Sequence, residues 1–427
     1  MRSIEVIASE VFEQNWREDE HGGYMLPNQK VYPNQWLWDT CATALGLRHI
    51  DPNAARSSID RLLSAQWSNG MIPNMIFGDE SISWHYPALW ARPKTGAPKH
   101  LQTSGITQPP LIAEAVYKVG EKLQIDNKQN WFNIVIPKLV SYHNWLLSER
   151  TADNSSLVSL VHPWESGMDN SPVWDDFAKK ALKKTAIFST ALQHLRHDTA
   201  KVGLNSDERS SGDESLNMGL LMQKLRLKGY KPKNALLIED AGFNAIFVRA
   251  NMYLLKLCEV SGNELSEGFT RRVYDHAEAY EDLWDEKTGM YSSRVTVTGE
   301  RIPIKTVGSL LGLYATSGSV ERAERLANHI AESLSFNLPY GIPSVALDEP
   351  TFQRSRFWRG PTWTITDSMI ADGLEQYAIP NQEVREKIVK RVVQFGPYEY
   401  HDPLSGNGFG ASNFSWTAAN ALDISYS

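Results

Sequence analysis

The acids best placed to do chemistry lie in H-P-W-E-S-G-M-D-N-S-P-V-W-D-D, from His162 to Asp176. Trp164 and Trp174 flank Glu165 and Asp169, while Gly167 and Pro172 break any helix, so these carboxyls belong to a loop. A lone loop carboxylate usually caps a helix or meets solvent. Acids packed among Trp, Gly and Pro fit that reading less well. A carboxyl in a desolvated aromatic setting keeps its proton near neutral pH and can act as a general acid. Spacing alone does not choose between Glu165 and Asp169.

The chain is rich in aromatic residues, with 14 Trp, 16 Tyr and 14 Phe. Trp clusters beside Asp, Glu, Gly and Pro, which fits either a large aromatic core or a pocket whose rings pack on the C–H faces of a sugar. Trp36, Trp38 and Trp363 neighbour polar loop residues and are wall candidates. Trp131 and Trp145 fall in apolar helical segments and read as core; Trp416 fits both roles. Arg359 in W-R-G-P could orient a carboxylate or bond backbone carbonyls, and the structural role is favoured.

The elements that must position these residues are mostly helices. Apolar spacing follows the helical period in roughly a dozen segments. Asn381 can cap a helix carrying Val384, Ile388 and Val392. Ser319 can cap one burying Ala323, Leu326, Ile330 and Leu334. Leu111, Ala115 and Val119 share a face, Leu237 to Val260 is strongly apolar, and Trp131 to Leu147 is a helix that Pro137 should kink or interrupt. Val295 to Thr298 is a short hairpin candidate. The expected class is mainly α, with helical hairpins arranged in a ring and one domain over 1–427. Three polar stretches read as lid or binding loops: Ala91 to Gly105, Lys201 to Ser215 and His401 to Asn413.

Several function classes are disfavoured. A net charge of −7 without a Lys/Arg-rich run argues against nucleic acid. No stretch of about 18 apolar residues suggests a membrane span. Two cysteines, Cys41 and Cys258, cannot build a disulfide framework or a cysteine zinc site, and the amphipathic N-terminus does not read as a signal peptide, so a cytoplasmic location is expected. His194 and His197 form an i, i+3 pair with no evident third ligand, and no phosphate loop or dinucleotide fingerprint occurs. No metal and no cofactor are expected.

W-E-S-G-M-D-N-S-P resembles the catalytic-acid motif of glycoside hydrolase family 63, which includes processing α-glucosidases and the compact bacterial mannosylglycerate and glucosylglycerate hydrolases. Further segments match in order: Y-P-N-Q-W-L-W-D-T from Tyr32, G-M-I-P-N-M-I-F from Gly70, T-Q-P-P from Thr107, I-E-D-A-G-F-N-A from Ile238, F-W-R-G-P-T-W from Phe357, and the C-terminal pieces F-x-x-Y-E-Y, G-x-G-x-G and F-S-W-T-A-A. The resemblance spans residues near 30 to 422. It implies an (α/α)6 toroid with long lid loops and inverting hydrolysis of a small α-glycoside. It selects Asp169 as the general acid and Glu399, in P-Y-E-Y-H-D, as the general base, although G-P-Y between Phe395 and Glu399 departs from the family spacing. Two flanking tyrosines could hold Glu399 ionised by hydrogen bonding; the alternative is a surface residue on a strand or turn. It places Tyr32, Trp36, Asp39 and Gln108 around the terminal sugar. Trp38, Trp164, Gly167 and Trp363 complete the expected substrate-binding set. Arg209, in E-R-S-S-G-D-E, is the nearest match to an arginine that binds a glycerate carboxylate, a task suited to its planar fork. Ser210 replaces the family proline there, and Leu216 or Asn217 stands where a tyrosine is expected.

The expected partner is a small glycoside, and self-association into a homo-oligomer is left open. Two other readings are an α-glucosidase or trehalase-like hydrolase of neutral oligosaccharides, which needs no Arg209, and a non-catalytic carbohydrate-binding protein.

Overall fold

In a computed structural model, residues 2–78, 96–177, 212–230, 237–332 and 334–426 are described, with backbone alone for 212–217. The chain is mainly helical. In order, the helices are α1 (Ile4–Asn15), α2 (Leu37–Leu47), α3 (Pro52–Ser64), α4 (Ile112–Gly120), α5 (Ile125–Glu149), α6 (Gly212–Leu227), α7 (Ala241–Ser261), α8 (Glu267–Glu281), α9 (Gly312–Ala315), α10 (Val320–Ala331), α11 (Thr364–Gln376), α12 (Gln382–Phe395) and α13 (Ser415–Tyr426).

Two kinds of helix alternate. Every residue of α2 is buried, and α7 and α11 are buried over most of their lengths. A helix apolar all round must be enclosed. By contrast, α10 buries only the stripe Ala323, Leu326 and Ile330, and α12 a stripe with Val384, Ile388 and Val392. The enclosed helices pack in sequence: α2 on α4, α4 on α7, α7 on α9, α9 on α11, α11 on α13, and α13 back on α2. The striped helices lie outside this closed ring, with α3 against α2 and α4, α5 and α8 against α7, α10 against α9, α12 against α11 and α13, and α1 against α13.

Connections running into the inner helices are laced to one another by short antiparallel pairings. Gln35–Trp36 pairs with Met75–Ile76, and Ile76 bridges to Thr103. Ile238–Glu239 pairs with Arg294–Val295, and Leu160 bridges to Ile238. Thr306 bridges to Val345, Pro343 to Thr362, and Thr362 to His401. These connections therefore gather on one face of the ring, where the N-termini of the inner helices favour negative charge.

Three local expectations change. The helix over Pro137 runs unbroken from Ile125 to Glu149. Leu334 lies beyond the end of α10 and is exposed. Asn381 precedes α12 but caps nothing, because its side-chain amide donates to the Ala371 carbonyl at 2.9 Å instead. Ser319 does cap α10, accepting from the Arg322 amide at 3.2 Å. Val295 accepts from Gly299 and donates to Glu300, closing the expected hairpin turn.

Candidate active site

Glu165 and Asp169 stand only four residues apart, yet their surroundings differ in kind. Glu165 is fully buried in the 3-10 turn Pro163–Glu165. Arg150 grips both its oxygens, at 2.7 and 3.0 Å, and the amides of Thr107 and Val161 donate to it at 3.3 and 3.0 Å. Four donors on one carboxylate leave no lone pair facing a ligand. Asp169 is half-buried in the loop that follows. Gly167 turns that loop at φ +72°, and a Cβ there would meet the Trp38 indole at 2.7 Å. Only glycine fits both that backbone conformation and that close approach. His162 bonds the Met218 carbonyl at 3.0 Å and accepts from the Trp164 amide at 3.1 Å, tying the loop to α6. Burial pushes the His162 imidazole down to about 4, so it stays neutral.

Glu399 is buried immediately before the strand Tyr400–His401, which pairs with Gly408–Phe409. Tyr32 Oη donates to its Oε1 at 2.7 Å, and the Ala411 amide donates to Oε2 at 3.1 Å. Tyr32 is brought there by a tied loop: Asn28 accepts from the amides of Lys30 and Val31 and donates to the Ser412 carbonyl. Asn15 adds bonds to the Asn413 carbonyl and Ser415 Oγ. Gly410 has φ +70°, and a Cβ would lie 2.4 Å from Glu399 Oε2. The third glycine of G-N-G-F-G thus makes room for the carboxylate rather than cradling a phosphate.

A stack of rings spans from this strand to the acidic loop. Trp363 stacks on Tyr400 at 4.7 Å and on Trp358 at 3.9 Å with planes 2° apart. The Trp358 amide then donates to Asn170 Oδ1 at 2.9 Å, one residue beyond Asp169. Trp38 meets Trp358 at 5.9 Å and Trp416 at 5.0 Å.

Asp39, in the first turn of α2, joins the two carboxylates electrostatically. Its carboxyl is held well above the usual carboxylate range, first by burial and then by the charges of Glu399 and Asp169. Three acids contributed by distant parts of the sequence therefore share one field. Gln108, just before α4, is 5% exposed, and its Oε1 accepts no bond among the described residues. A buried amide oxygen without a donor is a strong request for a ligand hydroxyl.

Residues 32–417 match the family model described as Mannosylglycerate hydrolase MGH1-like glycoside hydrolase domain. The chain belongs to this family of glycoside hydrolases. It is 35% identical over 428 residues to the mannosylglycerate hydrolase of Thermus thermophilus, covering 97% of this chain and 99% of that protein. It is 28% identical to the glucosylglycerate hydrolase of Mycolicibacterium hassiacum, covering 92% of each. The crystal structure of the family 63 mannosylglycerate hydrolase from T. thermophilus in complex with Tris and D-glycerate superposes with a TM-score of 0.87 at 31% identity, over 99% of this chain and 100% of that one.

Within this hydrolase, Tyr32, Asp39, Asp169 and Glu399 come together. Trp36 and Trp164 are half-buried. Trp38 and Trp363 are 2% and 1% exposed and belong to the stack of rings beside the site. Trp131 and Trp145 are core, as their apolar helix suggested. Trp416 also proves to be buried against Trp38 and Trp363. Arg209, His194 and His197 lie outside the described residues, as does part of the stretch from Ala91 to Gly105. Among the described residues no group of three or more His, Cys, Asp or Glu could hold a metal. None of their helices is long and apolar enough to cross a membrane. Cys41 and Cys258 are both buried free thiols.

Sequence reasoning missed the Arg150 fork and the bonds from Arg359 to Asp175. Arg150 ends an ordinary apolar helix, and nothing in S-E-R-T marks it as the partner of an acid fifteen residues on. Gly410 did leave a signal: a glycine two residues beyond a polar turn, close in sequence to the candidate base.

Proposed function

We propose that this enzyme hydrolyses a small α-glycoside with inversion, acting on mannosylglycerate or glucosylglycerate. The observation that carries the reading is the meeting of Asp169 and Glu399 around Asp39. In the proposed reaction Asp169, as the general acid, protonates the glycosidic oxygen as it leaves. Glu399, held by Tyr32 and Ala411, removes a proton from a water that attacks the anomeric carbon from the opposite face. An inverting pair needs its carboxyls about 6.5–9.5 Å apart, to leave room for that water. Asp39, whose carboxyl is held well above the usual carboxylate range chiefly by burial, can donate to a sugar hydroxyl or accept from one. Gln108 Oε1 accepts another, and Trp36 and Trp164 offer ring faces. Trp38, Gly167 and Trp363 complete the wall of the pocket. Arg209 is the proposed partner of the glycerate carboxylate. We read the closed helix ring as an (α/α)6 toroid forming one catalytic domain over 1–427, and two free buried thiols suit a reducing cytoplasm.

The test is a small-glycoside panel with wild type, Asp169→Asn and Glu399→Gln. The reading expects release of a hexose and glycerate by wild type and loss of about a thousandfold or more in each variant. Full activity in Asp169→Asn contradicts it. Turnover of trehalose or maltose but of neither glycerate glycoside would move the assignment to a neutral-oligosaccharide hydrolase.

A further inference from the structure

Arg359 does more than satisfy nearby carbonyls. Its guanidinium grips Asp175 with two parallel bonds, Nη1 to Oδ1 at 2.7 Å and Nη2 to Oδ2 at 2.9 Å. Nη1 also donates to the Asn170 carbonyl at 3.1 Å. The neighbouring Trp358 amide holds the Asn170 side chain. Arg359 itself is buried, while the Asp175 carboxylate is 31% exposed. Asp169 is thus strung between two arginine forks. Arg150 fixes Glu165 four residues before it, and Arg359 fixes Asp175 six residues after it.

The two forks anchor to different bodies. Arg150 belongs to the C-terminal end of α5. Arg359 belongs to the segment that carries the ring stack, with Trp358 lying on Trp363, and Trp363 on Tyr400 beside Glu399. Phe357 opens this segment at φ +43°, a left-handed conformation that is strained for a bulky side chain. The surrounding bonds must over-determine it, and the Asn170 and Asp175 contacts of the next two residues are among them. The backbone after Asp169 is therefore fastened to a rigid aromatic spacer whose other end adjoins Glu399.

We propose that Arg359, through Asp175 and Asn170, is a positioning residue for the general acid and sets where the Asp169 carboxyl stands relative to Glu399. In this role Arg359 acts through Asp175 and Asn170 and not on the substrate itself. The inference rests on the assignment of Asp169 as the acid. It extends that assignment by naming the residues that hold the carboxyl at the leaving oxygen, where a misplacement of about 1 Å can cost roughly 100-fold.

Leaving-group chemistry separates this role from general damage. A fluoride leaves an anomeric carbon with little need of a proton, whereas a glycerate alkoxide needs one. Steady-state kinetics would be measured on mannosylglycerate and α-mannosyl fluoride, or on the glucosyl pair if wild type prefers it. The variants are Arg359→Lys, Asp175→Asn and Asp169→Asn. Arg359→Lys keeps the charge but loses the fork and the bond to Asn170. Its kcat on the glycerate glycoside is expected to fall about 100-fold, with KM little changed and turnover of the fluoride close to wild type. Asp175→Asn, which keeps one oxygen acceptor for the fork, should show the same selectivity with a smaller loss. Equal losses on both substrates, or no loss in either variant, overturn the positioning role. If Asp169→Asn loses the glycerate glycoside selectively while Arg359→Lys and Asp175→Asn do not, this inference alone fails. If Asp169→Asn keeps full activity on the glycerate glycoside, the assignment of the acid fails and takes the inference with it.

Discussion

Tyr32 Oη lies 2.7 Å from Glu399 Oε1, joining residues 367 positions apart in the chain. The bond defines one face of the proposed base, and the Ala411 amide defines the other. A carboxylate held by two donors can swing little, so its remaining lone pairs point in a fixed direction. Tyr32→Phe keeps the ring packing against Trp36 and Phe414 and removes only the donor. A hydrogen bond to a charged group is worth about 1.5–3 kcal/mol. The expected result is a fall in kcat of roughly 10- to 100-fold with thermal stability little changed, read by steady-state kinetics and a melting curve on the same preparation.

Gly410→Ala should strike the same carboxylate from its other side. The new Cβ would lie 2.4 Å from Oε2 at a backbone φ of +70°, so either Glu399 or the strand must move. A loss in kcat of about 100-fold is expected, with a native circular dichroism spectrum. Unchanged turnover would show that the exact seat of Glu399 does not matter.

Glu165→Gln should unfold rather than inactivate. It leaves Arg150, only 2% exposed, as a buried cation without its anion, a defect that typically costs about 3–5 kcal/mol. Denaturant titration measures this directly. Asp169→Asn, at a half-buried residue, should do the reverse: stability near wild type and activity lost. This crossed pattern separates two acids that the sequence leaves undivided.

Stability should fall on acidification because four imidazoles are buried in the neutral form. Burial pushes His143 and His162 down to about 4, and His276 and His401 down to about 3. In the unfolded chain each titrates near its ordinary value of about 6.5. Below that value the unfolded state binds more protons than the folded one, so the contribution is complete above about pH 6.5 and is lost progressively as pH falls toward the lower folded values. Four such groups can remove several kcal/mol, of the order of the whole stability of a domain. Melting temperature should therefore drop steadily between about pH 7 and about pH 4.5. A flat profile over that interval contradicts neutral burial of these histidines.

Much of this architecture could be read from residue patterns, and the reasons differ by element. The stripe on α10 gave its buried face because period and burial coincide in a helix with one wet side. The all-buried α2 carried no such periodicity, and the motif Y-P-N-Q-W-L-W-D-T, which reads as a loop, did not mark the helix that begins within it. Asp169 and Glu399 were legible only through family motifs, since composition offered Glu165 equally. What separates Asp169 from Glu165 is Arg150, a partner set by the packing of α5 against the loop and invisible to local spacing. Trp38 and Trp363 were legible as residues of this region but their stacking was not, because a loop tryptophan beside polar residues looks the same whichever rings it packs on. The turn at Val295 was clear from its composition, whereas Pro137 misled: a helix packed on α4, α7 and α8 can run on through one missing amide donor.

The most direct test of the central claim is proton NMR of the wild-type enzyme during the first minutes of hydrolysis of mannosylglycerate or glucosylglycerate, before mutarotation. With Asp169 donating the proton and Glu399 activating water on the opposite face, the β-anomer of the released hexose must appear first, and the α-anomer must follow only at the rate of spontaneous equilibration. Initial release of the α-anomer would contradict the account.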